Sequence, residues 1–298
     1  MVESVLANKA KGKRQKAKLF LLLCVLCVSV VNSFGQSLDA LAEKLKNGST
    51  EEKREALYQI RNLQIAEASR ISIPALQDSD EIVRATAVYS VIYLPSYVAF
   101  QLLEPLLNDK SSFVRKETVY ALGKAANPHP IPTLLSLLRK DKDIEVKMAV
   151  AMALGEIGEP LAIEELLKIL QKKPKDDEEF LRRSAARSIG KIAQIQQFKS
   201  NYVVTPESLL PEKYDTFANL KYTNLAENNP IFRNSISVLL SVLRNLKESH
   251  DVRREAAFAL GAIGDKSVIA TLQNNLSAKD YYLAEICKES LLKISSSK

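Results

Sequence analysis

One pattern of apolar and polar positions recurs along most of this chain. It is clearest in VRREAAFALGAIG, residues 252–264, where small and apolar side chains return at spacings of three and four. This spacing places them on one face of an α-helix, whereas a half-buried strand would alternate apolar and polar residues. Each copy of the pattern therefore predicts one amphipathic helix.

Near-copies of this segment recur at almost constant spacing. A basic second position marks them, at Lys53, Arg84, Arg115, Lys147, Arg182 and Arg253, with Ala284 in the last copy. The steps are 31, 31, 32, 35, 71 and 31 residues. A second amphipathic stretch precedes the helix in several copies, at 132–138, 161–170, 238–246 and 268–276. Two helices per period predict an all-α fold, a right-handed α-solenoid of about seven helix pairs.

The repeated pattern, Val-Arg-x-x-Ala-Ala-x-Ala-Leu-Gly-x-Ile-Gly, resembles the HEAT-like repeats first noted in phycobilisome bilin lyases. The resemblance covers residues 36–298 except for one gap. It implies an armadillo- or HEAT-like superhelix whose second helices line the concave face. The pattern is specific for the fold and says little about activity, because such repeats serve many unrelated binding roles.

Two sets of recurring residues predict how the repeats pack and where their helices begin. Glycines recur eight residues after the basic position, at Gly123, Gly155, Gly190 and Gly261. A glycine inside a helix costs about 1 kcal/mol relative to alanine, so its recurrence predicts a tight contact or an early helix end. Aspartates near the second-helix starts are expected to cap them, at Asp80, Asp109, Asp143 and Asp280.

The gap at residues 194–230 is the one interruption of the period. Its prolines and asparagines favour irregular backbone, whereas its aromatic residues, such as Tyr202 and Phe217, need somewhere to pack. The segment is either a degenerate repeat or an inserted loop. We interpret it as an ordered excursion over one face of the solenoid.

The N-terminal residues 1–35 have the order of a signal peptide. Six basic residues precede an apolar run of 13 residues, Leu19–Val31, and small residues follow at Ser33 and Gly35. At about 1.5 Å per residue this run is too short to cross a hydrocarbon core of about 30 Å comfortably. We expect a periplasmic or secreted protein after cleavage near Gly35. The alternative is an uncleaved inner-membrane anchor through residues 19–33.

The net charge does not point to nucleic acid. The formal charge is +7, and the first 35 residues contribute six basic residues and one acid, or +5. The remaining +2 belongs to residues 36–298. Because such a body has no general attraction for phosphate, we expect no nucleic-acid partner.

Residues suited to catalysis or metal binding are sparse. His129 lies in a turn and His250 precedes a second helix, and nothing in the pattern brings the two together. Cys24 and Cys27 lie inside the apolar run, which leaves Cys287, expected to be a buried structural thiol. No phosphate-binding loop, nucleophile elbow or H-E-x-x-H motif occurs. The sequence therefore predicts no catalytic residue, metal site or cofactor, and a protein that is not an enzyme.

The residue five positions after the basic one is the sharpest candidate for binding. These column residues are Tyr58, Tyr89, Tyr120, Met152, Arg187 and Phe258. The helical pattern predicts that they are exposed. Residues four positions away share the same helix face and include Arg54, Tyr93, Lys116, Lys124, Glu156, Arg183, Lys191 and Arg254.

An aromatic column edged by cations suits an extended peptide or an acidic polypeptide segment. We therefore expect a protein-interaction scaffold that binds a protein or peptide on its concave face. In the alternative interpretation the tyrosines pack between adjacent repeats. The resemblance also leaves open a bilin-lyase-like enzyme or enzyme subunit. The basic residues at the second position, named ladder cations below, are expected to bind acidic loops of neighbouring repeats.

Overall fold

The computed structural model describes residues 37–125, 129–198 and 222–296. The predicted leader, residues 1–35, lies outside these ranges. Within them every regular element is an α-helix or a short 3-10 helix, so the predicted all-α class is confirmed. The chain divides into two compact units, Met1–Tyr93 and Leu94–Lys298.

The first unit contains four helices in its described part. They are 37–47 (α1), Thr50–Leu63 (α2), Ala66–Ile71 (α3), which a 3-10 turn at Ile73–Gln77 follows, and Glu81–Ser90 (α4). A capping box between Ser49 and Glu52 starts α2, because each side chain accepts a hydrogen bond from the other residue's N–H. The first three helices share a small core of Leu41, Ala56, Ile60 and Ala68.

The second unit contains the other described helices. They are Ser96–Leu103 (α5), Ser112–Lys124 (α6), Ile131–Lys140 (α7), Ile144–Ile157 (α8), Ile163–Leu170 (α9), Glu179–Phe198 (α10), Leu225–Asn228 (α11), Pro230–Arg244 (α12), His250–Ile263 (α13), Ile269–Gln273 (α14) and Tyr281–Ser296 (α15). Short 3-10 turns extend several of them, at Glu104–Asn108, Pro160–Ala162, Asp176–Glu178 and Lys266–Val268.

Consecutive helices pair as αα-hairpins. The described residues form two pairs in the first unit, α1/α2 and α3/α4, and five in the second, α5/α6, α7/α8, α9/α10, α12/α13 and α14/α15. This agrees with the predicted number. In the second unit the second helices α6, α8, α10, α13 and α15 pack one against the next. The repeats therefore bury one another's apolar faces, as a solenoid requires.

Helix packing explains the recurring glycines. A Cβ atom on Gly123 of α6 would lie 2.8 Å from the Cα atom of Ala153 on α8. One on Gly190 of α10 would lie 2.4 Å from the Phe258 ring on α13. The predicted tight contact is therefore confirmed. Two other glycines, Gly158 and Gly264, end α8 and α13 in the left-handed conformation, with φ of 80° and 81°.

The predicted aspartate caps begin the second helices. Asp80 accepts hydrogen bonds from the N–H groups of Ile82 and Val83, and Asp143 does the same at the start of α8. Asp280 accepts from the N–H of Leu283 at 3.3 Å. Asp109 differs, because it accepts from the N–H of Ser111 one residue before α6.

The chain around the predicted gap is partly helical. Helix α10 continues to Phe198, five residues into the segment 194–230, and residues 199–221 lie outside the described ranges. After them Tyr222 is buried, with its ring centroid 5.1 Å from that of Phe198. Among the described residues α10 packs directly along α13, so these two second helices are neighbours in the stack.

Candidate functional site

The ladder cations lie between successive hairpins, as predicted. Lys53 Nζ is 2.7 Å from Asp78 Oδ2. The Arg115 guanidinium binds both carboxylate oxygens of Asp141, at 2.8 and 2.9 Å, and donates to the carbonyl of Asp109. Each of these two cations thus joins its own repeat to the loop of the following one.

Arg182 is the most enclosed ladder cation in the described chain, with only 1% of its surface exposed. Its Nε donates to Glu248 Oε1 at 3.2 Å, and its Nη atoms donate to the carbonyls of Ile169, Leu170 and Lys172. Such dense bonding satisfies a charge that would otherwise be costly to bury. The prediction that these cations bind acidic loops of neighbouring repeats is confirmed for Lys53, Arg115 and Arg182. It is wrong for Arg253, which donates to the side-chain amide of Asn275.

In the first unit the predicted column residues differ in exposure. Tyr58 is 44% exposed, whereas Tyr89 and Tyr93 are half-buried. The Arg61 guanidinium carbon lies 4.9 Å from the centroid of the Tyr89 ring, within the range of a cation–π contact. Tyr58 thus remains available to a partner, whereas one face of Tyr89 is already covered.

In the second unit one predicted exposure is wrong. Met152 is exposed and Tyr120 is half-buried, but Phe258 is only 2% exposed. The Phe258 ring lies against Gly190, where the missing side chain makes room for it, and Lys293 Nζ lies 5.5 Å from its centroid. Phe258 therefore belongs to the helix interface and is not an exposed contact residue.

Five of the cations predicted in or beside the column are bound to carboxylates, namely Lys116, Arg183, Arg187, Lys191 and Arg254. Lys116 Nζ is 2.7 Å from Glu145 Oε2, and this hydrogen bond raises the pKa of Lys116. Arg187 Nη1 donates to Glu255 Oε1 at 2.9 Å. On this face the charges of the protein thus neutralise one another, so the cations do not by themselves call for an acidic partner.

Three predicted residues, Arg183, Arg187 and Arg254, line one cavity of about 530 Å³ on the exposed side of α10, α13 and α15. This tyrosine cavity is also lined by Asp251, Glu255, Tyr281, Tyr282, Glu285, Ile286 and Glu289. Arg183 lies 3.1 Å from Asp251. Arg254 binds both oxygens of Asp280, with its guanidinium carbon 5.1 Å from the centroid of the Tyr282 ring.

Sequence reasoning missed the half of this cavity that α15 supplies. Tyr281 and Tyr282 are 69% and 65% exposed, with ring centroids 5.9 Å apart. Glu289 occupies the column position of the last copy, five residues after Ala284. Aligning that weaker copy on Ala284 would have found it. Burial raises the pKa of Glu289, because desolvation disfavours the charged carboxylate.

Other candidate reactive groups have structural surroundings. Cys287 is buried, as predicted, and burial raises its pKa to about 12, so the thiol stays protonated at neutral pH. His250 Nδ1 lies 3.1 Å from Asp280 Oδ2. The His129 ring centroid lies 6.1 Å from those of Tyr97 and Phe100. Each histidine therefore has its own local partner.

Across 37–125, 129–198 and 222–296, the helices are either too short or too polar to span a bilayer.

The fold and the site define an all-α repeat solenoid of the HEAT and armadillo class. The family model of HEAT repeats matches residues 100–190, and that of the PBS lyase HEAT-like repeat matches residues 252–278. The chain therefore carries HEAT-like repeats in both segments, as the resemblance implied. No curated protein matches the sequence.

The chain is also similar to solved structures. An engineered protein is 19% identical with a TM-score of 0.52, over 87% of this chain and 68% of that one. The Escherichia coli protein YibA is 19% identical with a TM-score of 0.47, over 89% and 96% of the two chains. The complex of CpcE and CpcF of phycocyanin lyase from Nostoc sp. PCC7120 is 18% identical with a TM-score of 0.46, over 86% and 94%. At these identities the likeness to the engineered protein concerns the fold alone.

Proposed function

We propose that this protein is a binding scaffold that holds a protein or peptide partner at the tyrosine cavity. The observation that carries the proposal is the exposed pair Tyr281 and Tyr282 beside a concave surface. Large exposed aromatic side chains next to a cavity are typical of interaction sites, because their burial on binding supplies much of the affinity.

The polar rim of the cavity suits an extended peptide. Arg183, Arg187 and Arg254 are held in place by carboxylates of α13 and of the loop before α15. Side chains fixed in this way lose little conformational entropy when a partner binds. The cavity volume of about 530 Å³ admits one or two side chains of such a peptide. The tyrosine rings then provide flat apolar area, and the rim provides hydrogen bonds to backbone groups.

The test compares partner capture by three forms of the protein. Wild type, the double variant Tyr281→Ala/Tyr282→Ala and the control Tyr97→Ala are each used to retain proteins from native extract, followed by quantitative mass spectrometry. Tyr97 is a fair control because it is 58% exposed and lies outside the cavity. We expect a partner that wild type and Tyr97→Ala retain and the double variant loses at least tenfold.

Stability measurements keep the result interpretable. Substitutions of exposed residues usually change the unfolding free energy by about 0.5 kcal/mol or less, so the melting temperature of the double variant should move by about 2 °C at most. Identical sets of retained proteins for wild type and the double variant would contradict the proposed site.

The N-terminal pattern supports a further part of the proposal, that the scaffold acts outside the cytoplasm. Six basic residues followed by the apolar run Leu19–Val31 and small residues have the order of an export signal. Mass spectrometry of the protein from its native cells should find a mature N-terminus at or near Gln36. An N-terminus at Met1 in the membrane fraction would instead favour the anchored alternative, and one in the cytoplasm would refute export.

A further inference from the structure

Lys147 stands apart from the other ladder cations whose side-chain partners the structure describes. Arg253 also differs from the rest, because it donates to the amide oxygen of Asn275 at 3.3 Å and not to a carboxylate. Lys53, Arg115 and Arg182 each bind a carboxylate in the loop of the following hairpin, namely Asp78, Asp141 and Glu248. Lys147 holds the same position in α8. In the parts of the chain that the structure describes, no carboxylate lies within 4.0 Å of its ammonium group. Within those parts of the chain Lys147 therefore lacks the carboxylate partner that Lys53, Arg115 and Arg182 have.

The loop between α9 and α10 explains why Lys147 has no carboxylate partner in the described chain. Asp78 and Asp141 directly follow the first helical segments of their hairpins, with extended backbone. The residue that directly follows α9 is Gln171, and the loop continues with Lys172 and Lys173. The loop is also longer, since the repeat step from Lys147 to Arg182 is 35 residues. Cations thus stand at the positions where the loops of Asp78 and Asp141 supply an acid.

A cavity of about 620 Å³ lies beside Lys147. This lysine cavity is lined by Leu138, Arg139, Lys142, Ile144, Lys147, Glu165, Lys168, Ile169, Lys172, Asp177, Glu178 and Leu181. Five of these residues are basic and three are acidic, so the lining carries a formal charge of +2.

The existing ion pairs leave an excess of positive charge in this cavity. Glu165 is bound by Arg139 at 3.1 Å and by Lys168 at 2.8 Å. Glu178 lies 3.7 Å from Lys175. Among the described residues, Lys142, Lys147 and Lys172 have no carboxylate within 4.0 Å, and Asp177 has no cation within that distance. Three lysines thus face a single remaining acid.

We propose that the lysine cavity binds a side-chain carboxylate of an acidic segment of the partner, in the place that Asp141 occupies on Arg115. The Lys53–Asp78 distance of 2.7 Å indicates the contact that such a carboxylate would make with Lys147. The proposal rests on the proposed function only in taking the carboxylate from a bound protein. It assigns the expected acidic partner to this cavity, because five of the cations in or beside the column are already bound to carboxylates.

Isothermal titration calorimetry with an acetylated, amidated octaglutamate peptide tests the site on the purified protein. Lys147→Gln and Lys172→Gln should each weaken binding about tenfold, as loss of a charge-assisted contact does. The control Lys279→Gln makes the same change of net charge at an exposed lysine outside the cavity and should alter affinity by less than about twofold. Equal weakening by the control, or full affinity in Lys147→Gln, would overturn the proposal.

A second variant supplies the missing carboxylate from the protein itself. Lys172→Asp removes one cation and supplies a carboxylate beside Lys147, so it should abolish peptide binding without lowering the melting temperature. Wild-type affinity in this variant would overturn the proposal, and so would displacement of the peptide by inorganic phosphate at equal concentration. Tyr281→Ala/Tyr282→Ala should bind the peptide normally, which separates this site from the tyrosine cavity.

Discussion

Adjacent arginines on α10 illustrate two different uses of the same side chain. Arg182 points between hairpins, and 2% of its side chain is exposed, whereas 39% of the Arg183 side chain is exposed at the tyrosine cavity. Both bind a carboxylate of the following repeat, Glu248 for Arg182 and Asp251 for Arg183. The comparison shows that solvent access, and not the presence of an ion pair, separates a cation enclosed between hairpins from one that is available to the proposed binding surface.

The physical reason is the cost of desolvation. Breaking a buried pair leaves an unpaired charge in a medium of low dielectric constant, while water replaces the partner of an exposed cation. The buried ladder cations therefore contribute to folding, and the arginines of the tyrosine cavity remain accessible to a bound peptide.

Arg182→Ala should give the largest effect. We expect a loss of about 3–5 kcal/mol in the free energy of unfolding, because Glu248 and several carbonyls lose their donor. The matched control Arg183→Ala should cost about 1 kcal/mol or less. Urea denaturation followed by circular dichroism measures both.

A double variant sharpens this comparison. Arg182→Met/Glu248→Met removes both charges of the buried pair, so it should be more stable than Arg182→Ala, since no carboxylate remains unpaired. Equal losses for Arg182→Ala and Arg183→Ala would contradict the distinction between the ladder and the tyrosine cavity.

Acid should weaken the ladder by a smaller amount. Burial alone would raise the pKa of Asp141, but hydrogen bonds from Arg115 and the Asp143 N–H outweigh it and lower the pKa. The unfolded chain therefore binds this proton more readily. The contribution of Asp141 to the free energy of unfolding is therefore complete above the ordinary aspartate pKa of about 4. It is lost as pH falls from there through the lowered pKa of the folded state.

Denaturation at neutral pH and near pH 3 tests this sign. Asp141→Asn should be less stable than wild type at neutral pH, and the difference should shrink in acid. The control Asp39→Asn removes an exposed carboxylate of α1. Its free energy of unfolding should stay close to that of wild type at both pH values. A difference between Asp141→Asn and wild type that grows in acid would contradict the assignment.

Much of the fold follows from local pattern. The spacing of apolar residues predicted the hairpins, the aspartate positions predicted the starts of α4 and α8, and the recurring glycines predicted close helix contacts. These features depend on periodicity and on backbone groups near in sequence, which a single chain displays directly.

Less of the candidate site could be predicted from the sequence. The exposure of Phe258 depends on Gly190, which lies 68 residues earlier and leaves room for its ring. The contribution of Tyr281 and Tyr282 depends on α15 lying beside α13. Helical periodicity assigns a side to each residue but does not indicate what a neighbouring helix places opposite it.

The amino-acid sequence by itself determined the two-helix repeat, its length and the positions of the ladder cations, because the same pattern recurs in successive repeats. Only the tertiary structure decided which cations are paired, which aromatic residues are covered and where Lys147 lacks an acid. Those outcomes depend on distances between side chains of different repeats, and desolvation makes their energies change steeply with a few ångströms of separation.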